Sequence, residues 1–272
     1  MQVEPTPLVA GSPAEVPLPD APLTRVIAQV RFPPILSIHK ADSVADFQEA
    51  LRSEYPHLHR NDVRNIEIVP GQEPNISEAV IWRLADRSKP ANWRVSLGMD
   101  FVAVETSNYG SRNDFLARLG TVLACAETCF GPAEAQRLGL RYIDRLEGEA
   151  VERIGELVQP SVLGILQPEG GPPDALRDAT AHMMTQAQFV AAEGTIQGRW
   201  GNLPPNATYD PDALEPIGEP SWVLDLDMFS LQALPFKSDE LVGMTEAFAK
   251  RTYSVFRLMV TEEFLRFYGG RP

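Results

Sequence analysis

The chain has 272 residues, 44% of them hydrophobic, with a formal net charge of −13 and a pI of about 4.8. That is enough apolar material for a sizeable core in one large domain or two small ones. Such acidity argues against duplex nucleic acid as a partner, because duplex binding runs on clustered Lys and Arg; it suits basic protein partners, or simply solubility.

No apolar run approaches the roughly 18–20 residues of a membrane helix. The opening MQVEPTPLVAGSPAEVPLPDA lacks the basic start and apolar core of a secretory signal, and its proline density reads as a disordered, extended arm over residues 1–21. Cys125 and Cys129 fall on one predicted helix, one turn apart, where a disulfide would constrain almost nothing. They read as reduced, small apolar side chains of a cytoplasmic protein. His39, His57, His59 and His182 are scattered, and His57-x-His59 follows Pro56 in a loop-like stretch, so neither a metal site nor a cofactor is implied.

In chain order, Pro22–His39 opens with a strand in which Val26, Ala28 and Val30 alternate with Ile27, Gln29 and Arg31, ended by Pro33-Pro34. Ser43 caps a short helix with Val44, Phe47, Ala50 and Leu51 as its stripe, closed by Tyr55-Pro56. Strands follow at Val63–Val69, with Ile66 and Ile68 on one face and Pro70-Gly71 at its end, and at Ala79–Leu84. The best-patterned segment is Trp93–Glu147. Trp93, Val95 and Leu97 alternate with Arg94 and Ser96, Gly98-Met99-Asp100 turns the chain, and FVAVET returns as a second strand. Ser111 with Asp114 marks a helix start, Phe115, Leu119, Val122, Ala126 and Phe130 recur at helical spacing, and Gly131-Pro132 stops it.

The second half repeats that order. Leu138–Leu146 is a strand, Ala150–Leu157 a short helix and Val162–Leu166 a strand before the loop QPEGGPPDAL. Ala179–Ala191 and Glu193–Gly201 form a hairpin, Asn202–Ser221 a long Pro-rich loop, and Trp222–Leu231 a strand. Ser238 caps a final helix with Leu241, Met244, Phe248, Val255 and Met259 inward, closed by Gly269-Gly270. The expected class is α+β: duplicated βαββββα units over residues 22–136 and 137–272, forming one long curved antiparallel sheet with helices on one face. In element order this resembles the TATA-binding-protein-like fold, which by itself implies nothing about DNA binding.

Pro22-Leu23, Val26, Arg31-Phe32-Pro33-Pro34, Trp93, Leu97, Asp100-Phe101, Thr106, Tyr109, Phe115 and the run Leu138-Gly139-Leu140-Arg141-Tyr142-Ile143-Asp144 resemble a sporadically distributed family of bacterial proteins of similar length. The resemblance covers the first half and brings no established activity. Its patchy distribution implies a setting among mobile, defence or toxin–antitoxin-type genes.

Several residues stand out as candidate binding groups. Arg141 should face opposite to Tyr142 and Asp144 on its strand, free to bind a carboxylate or phosphate, or to pair across strands with Glu105. Asp225 and Asp227 put two carboxylates on one strand face, suited to Mg²⁺ or acid–base work given a third partner such as Glu105 or Asp144, or else to a solvated sheet face. Tyr209 and Trp222, near the ends of the long loop, are placed to anchor a partner, because loops of that length tend to be functional or mobile. No G-x-S-x-G, P-loop, dinucleotide glycine signature or H-E-x-x-H occurs, which lowers the odds of the common enzyme classes. The sequence points to a non-enzymatic binding or regulatory protein with a protein partner, a homo-oligomer being open. The alternative is an enzyme or small-ligand binder using the sheet face.

Overall fold

The computed structural model describes residues 8, 11, 13–67, 75–167 and 174–272. Within them the chain is α+β, with helices and a nine-stranded antiparallel sheet. In chain order, β1 (Leu23–Arg31), a 3-10 turn (Leu36–His39) and α1 (Ala41–Leu51) lead to β2 (His57–Glu67), β3 (Asn75–Ala85), β4 (Trp93–Gly98), β5 (Phe101–Thr106) and α2 (Arg112–Phe130). The two-residue β6 (Glu134–Ala135) precedes the long β7 (Arg137–Glu147) and the short helices α3 (Glu149–Glu152), α4 (Ile154–Leu157), α5 (Pro160–Leu163) and α6 (Asp174–Asp178). Strands β8 (Met183–Val190), β9 (Thr195–Leu203) and β10 (Ser221–Phe229) follow; β11 (Leu234–Pro235) pairs with β6 before α7 (Ser238–Met259) and α8 (Glu262–Phe267). The strand order is β2-β3-β4-β5-β1-β7-β10-β9-β8. No helix among the described residues is long and apolar enough to cross a membrane.

The chain divides into two compact units: unit 1 comprises Met1–Val26, Arg141–Phe229 and Ala247–Pro272, and unit 2 comprises Ile27–Leu140 and Ser230–Glu246. In unit 2, β4 buries Trp93, Val95 and Leu97, the alternation expected of a half-buried strand. On α2, Phe115, Leu119, Val122 and Ala126 form the buried stripe, and the rings of Trp93 and Phe115 lie 5.8 Å apart. Ser111 caps α2 by accepting the Asp114 amide at 3.2 Å, and Gly131 ends it in the left-handed region at φ 53°. Helix α1 starts at Ala41, two residues before the expected Ser43 cap, after Lys40 in extended conformation. Strand β2 starts at His57, pairing with Ala85, so His57 and His59 stand on a strand and not in a loop; Pro56 marks its start. Ile68, Val69 and the Pro70-Gly71 stop lie outside the described residues, as does Pro168–Pro173 of the later loop.

In unit 1, β10 pairs with β9 over Ser221↔Leu203 to Phe229↔Thr195, and β9 with β8 over Met183↔Asn202 to Val190↔Thr195. Val162–Leu166, expected as a strand, is helical: α5 runs through Leu163, and Gly164–Leu166 forms a 3-10 turn. Pro160 at the first helical turn presets a helical φ, and Gly164 at φ 55° breaks the short apolar run. Among the described residues three strands of the large sheet, β8, β9 and β10, therefore follow β7 where four were expected. Nor is the described part of the proline-rich arm loose: the Val16 amide donates to the Tyr253 hydroxyl at 2.9 Å, and Leu8 donates to the Val190 carbonyl at 2.8 Å. Extended proline-rich chain has little entropy to lose, and a few backbone bonds with apolar contacts hold it.

At Gly201 of β9 φ is 152° and a Cβ would run into the Met183 carbonyl of β8. Gly201→Ala should therefore destabilise the protein by about 1–3 kcal/mol, through strain a neighbouring substitution does not create. Chemical denaturation of the variant, with Gly218→Ala in open space as the control, measures it. Equal midpoints for the two would contradict this account.

Candidate functional site

Strand parity decides which side chains meet in unit 1. On β7, Arg141 and Arg145 share a face, and Tyr142 and Asp144 the other. On β10, Asp225 and Asp227 share a face, and the antiparallel register sets them directly opposite Arg199 and Gln197 of β9. The sheet thus carries a row of polar side chains over three adjacent strands. The loop at residues 204–220 supplies two more, Tyr209 and Asp210.

That loop is built, not slack. The Asn206 amide donates to the Ile217 carbonyl at 2.6 Å, with Asn206 itself at φ 61°. The Thr208 hydroxyl donates to the Leu214 carbonyl at 2.7 Å and accepts the Asp210 amide at 3.2 Å. Ala213 and Leu214 are buried beneath it. This tight turn aims Tyr209 and Asp210 at Arg141 and Asp225.

Arg141 is the hub. Its Nε donates to Asp225 Oδ1 at 2.8 Å and its Nη2 to Asp225 Oδ2 at 2.9 Å, while Nη1 donates to Asp210 Oδ2 at 2.7 Å. The Tyr209 hydroxyl donates to Asp225 Oδ2 at 3.1 Å. The Asp225 side chain is only 4% exposed and Arg141's 17%, so this fork is largely out of water. Burial works against the Arg141 cation, but the two carboxylates outweigh it and raise its pKa above the ordinary arginine value. Burial likewise works against the Asp210 carboxylate, and there the Arg141 hydrogen bond and charge win, lowering its pKa. Tyr209 is pushed up, first by burial and then by the negative charge of Asp225. Arg145, four residues on, donates to the Glu215 carbonyl at 2.7 Å, a second hold on the same loop.

Between loop and strands lies a cleft of about 240 Å³ lined by Arg141, Gln197, Arg199, Asp210, Asp225 and Asp227. Of the residues singled out from sequence, Arg141, Asp225, Asp227 and Tyr209 meet here. Asp144 belongs to unit 1 too, but on the opposite parity, 8% exposed; burial and the charge of Asp225 push its carboxyl up to about 7. Glu105 lies in unit 2, where it faces Arg94 in register at 3.6 Å. Trp222 is 1% exposed and belongs to the core of unit 1, so it presents no surface to a partner. Sequence reasoning passed over Gln197, Arg199 and Asp210. The alternation Gln197, Arg199 against Ile196, Gly198, Trp200 marked a polar face on β9, and Asp210 sits next to Tyr209.

Among the described residues no group of His, Cys, Asp or Glu is arranged to hold a metal ion, and Cys125 and Cys129 are free thiols. No family model matches the sequence, and none of the curated proteins it was compared with matches it.

Two expectations follow from these charges. Arg141→Met should leave Asp225 buried without its cation, cost about 3–5 kcal/mol, and expose the 204–220 loop to protease; a variant that melts like the wild type with an uncut loop would contradict the hub assignment. Asp144 has an ordinary pKa of 3.8 and a folded value of about 7, so folding takes up a proton between those limits. The Asp144 contribution to stability is then greatest below about pH 4, falls as pH rises to about 7 and is flat beyond. Asp144→Asn should remove that slope and raise stability at pH 8 by on the order of 2–4 kcal/mol, read from denaturation midpoints across pH. An unchanged slope would place the titration elsewhere.

Proposed function

We propose that the protein is a non-enzymatic binding protein that engages a protein partner at the polar cleft of unit 1, beneath the 204–220 loop. One observation carries this reading: hydrogen bonds fix Arg141 between Asp225 and Asp210 and Tyr209 on Asp225, and in keeping with that geometry Arg141 and Tyr209 are driven upward in pKa and Asp210 downward, away from neutrality. Acid–base catalysis wants the reverse, a group tuned toward the working pH. A fixed cation clamped between two fixed anions, with a loop fastened over it, is a preorganised recognition surface. The net charge of −13 supports a partner that is basic overall. The cytoplasm is where such an acidic, cysteine-poor chain would act, and the defence-type setting implied by the sequence resemblance is where its partner would be sought.

The same reading takes the fold as a duplicated unit in a TATA-binding-protein-like arrangement. Its support is that β1 lies beside β5, the last strand of the meander that follows it, and β7 beside β10, the last strand of its own.

The test is capture from the native host with the tagged full chain, comparing wild type with Gln197→Trp, which fills the cleft. A stoichiometric, basic partner held by wild type and lost by the filled variant is expected. A partner that survives the filling, or light scattering that shows only the lone chain with no stoichiometric capture, would overturn the reading.

A further inference from the structure

The hydrogen-bond capacity of the cleft is unevenly spent. Asp225 accepts from Arg141 through both oxygens and from Tyr209, and Asp210 accepts from Arg141 and from the Ala213 amide at 3.3 Å. Asp227 is partnered as well. Each of the three acids thus already has a partner, while two donor-bearing side chains of the cleft do not. Arg141 has spent three N–H groups on its carboxylates, and its guanidinium carries others. Among the described residues, neither the Arg199 guanidinium nor the Gln197 side chain makes a hydrogen bond or ion pair, and both line the cleft.

Arg199 is also held in place. Its guanidinium carbon lies 5.9 Å from the centre of the Tyr209 ring, and that ring is anchored through its hydroxyl to Asp225. A guanidinium drawn over a fixed ring keeps its planar fork open for a ligand. The ligand that satisfies these donors is a planar anion with paired oxygens, and a carboxylate matches the fork in a bidentate way.

We infer that Arg199, assisted by Gln197, is the carboxylate-recognition residue of the cleft, so that the partner presents a carboxylate there. This rests on the binding reading above and names the chemistry of what is bound. A partner basic as a whole satisfies the long-range field, and one carboxylate at its chain end or on a side chain satisfies the cleft.

Isothermal titration calorimetry of the full chain with three short N-acetylated peptides tests it. One has a free C-terminal carboxylate and no acidic side chain, one is amidated with an internal Glu, and one is amidated and carries no acid. Heat from the first alone assigns a chain end, and heat from the first two assigns either source. Heat from the second alone assigns an acidic side chain. In each case Arg199→Gln should weaken binding at least tenfold, and Arg199→Lys, which keeps the charge but not the fork, by less. No binding by either acid-bearing peptide, equal binding of the acid-free one, or undiminished affinity in Arg199→Gln would overturn the inference. Carboxylate binding alongside a partner that survives Gln197→Trp defeats only the binding reading. Cleft-dependent capture without carboxylate binding defeats only this inference.

Discussion

Everything in the cleft depends on one guanidinium standing between two carboxylates. Removing Arg141, Asp210 and Asp225 from water is expensive, and a buried ion pair seldom returns more than that cost. What it returns is position. A planar fork donates to two oxygens in one orientation, so the side-on hold of Arg141 on Asp225 and its end-on hold on Asp210 dictate where the loop must lie. The Arg145 bond to the Glu215 carbonyl repeats the device four residues along the same strand face. A proline-rich loop loses less entropy on ordering than a flexible one, so a few such bonds suffice to hold it.

Local pattern made the strands legible, because a period of two is visible wherever one face is buried. It placed Arg141 opposite in parity to Asp144, and Asp225 on the same face as Asp227. Register was not legible. Which residue of β9 lies opposite Asp225 depends on the turn geometry and on both strands together, so Arg199 and Gln197 could be seen as polar but not as members of the site. Asp210 was hidden for a related reason: its role arises from a turn closed by Thr208 and Asn206, and spacing does not encode where such a turn points. Trp222 misled in the opposite direction. An aromatic residue at a loop end serves equally well as a partner anchor or as the first core residue of the strand, and burial alone distinguishes them. Val162–Leu166 shows how a short apolar run is ambiguous between strand and helix, with flanking Pro160 and Gly164 as the arbiters.

Long-range and short-range electrostatics pull in different directions at this surface. Out to about one Debye length, roughly 8 Å in physiological salt, an approaching molecule meets the summed field of a body carrying a formal charge of −13, and beyond that distance the field itself is screened. Within contact distance the field is set by individual donors and acceptors. There Asp225 and Asp210 already have partners in Arg141, Tyr209 and the Ala213 amide, while among the described residues the Arg199 guanidinium makes no hydrogen bond or ion pair. A count of charged residues around the cleft would predict a cationic ligand, but a carboxylate already held by an arginine fork contributes little further attraction at short range. On the proposed reading, the unspent donors would decide what fits and the net charge what arrives. An acidic protein can therefore draw in a basic body and still select it by a single carboxylate, provided that its own acids are first paired off by residues such as Arg141.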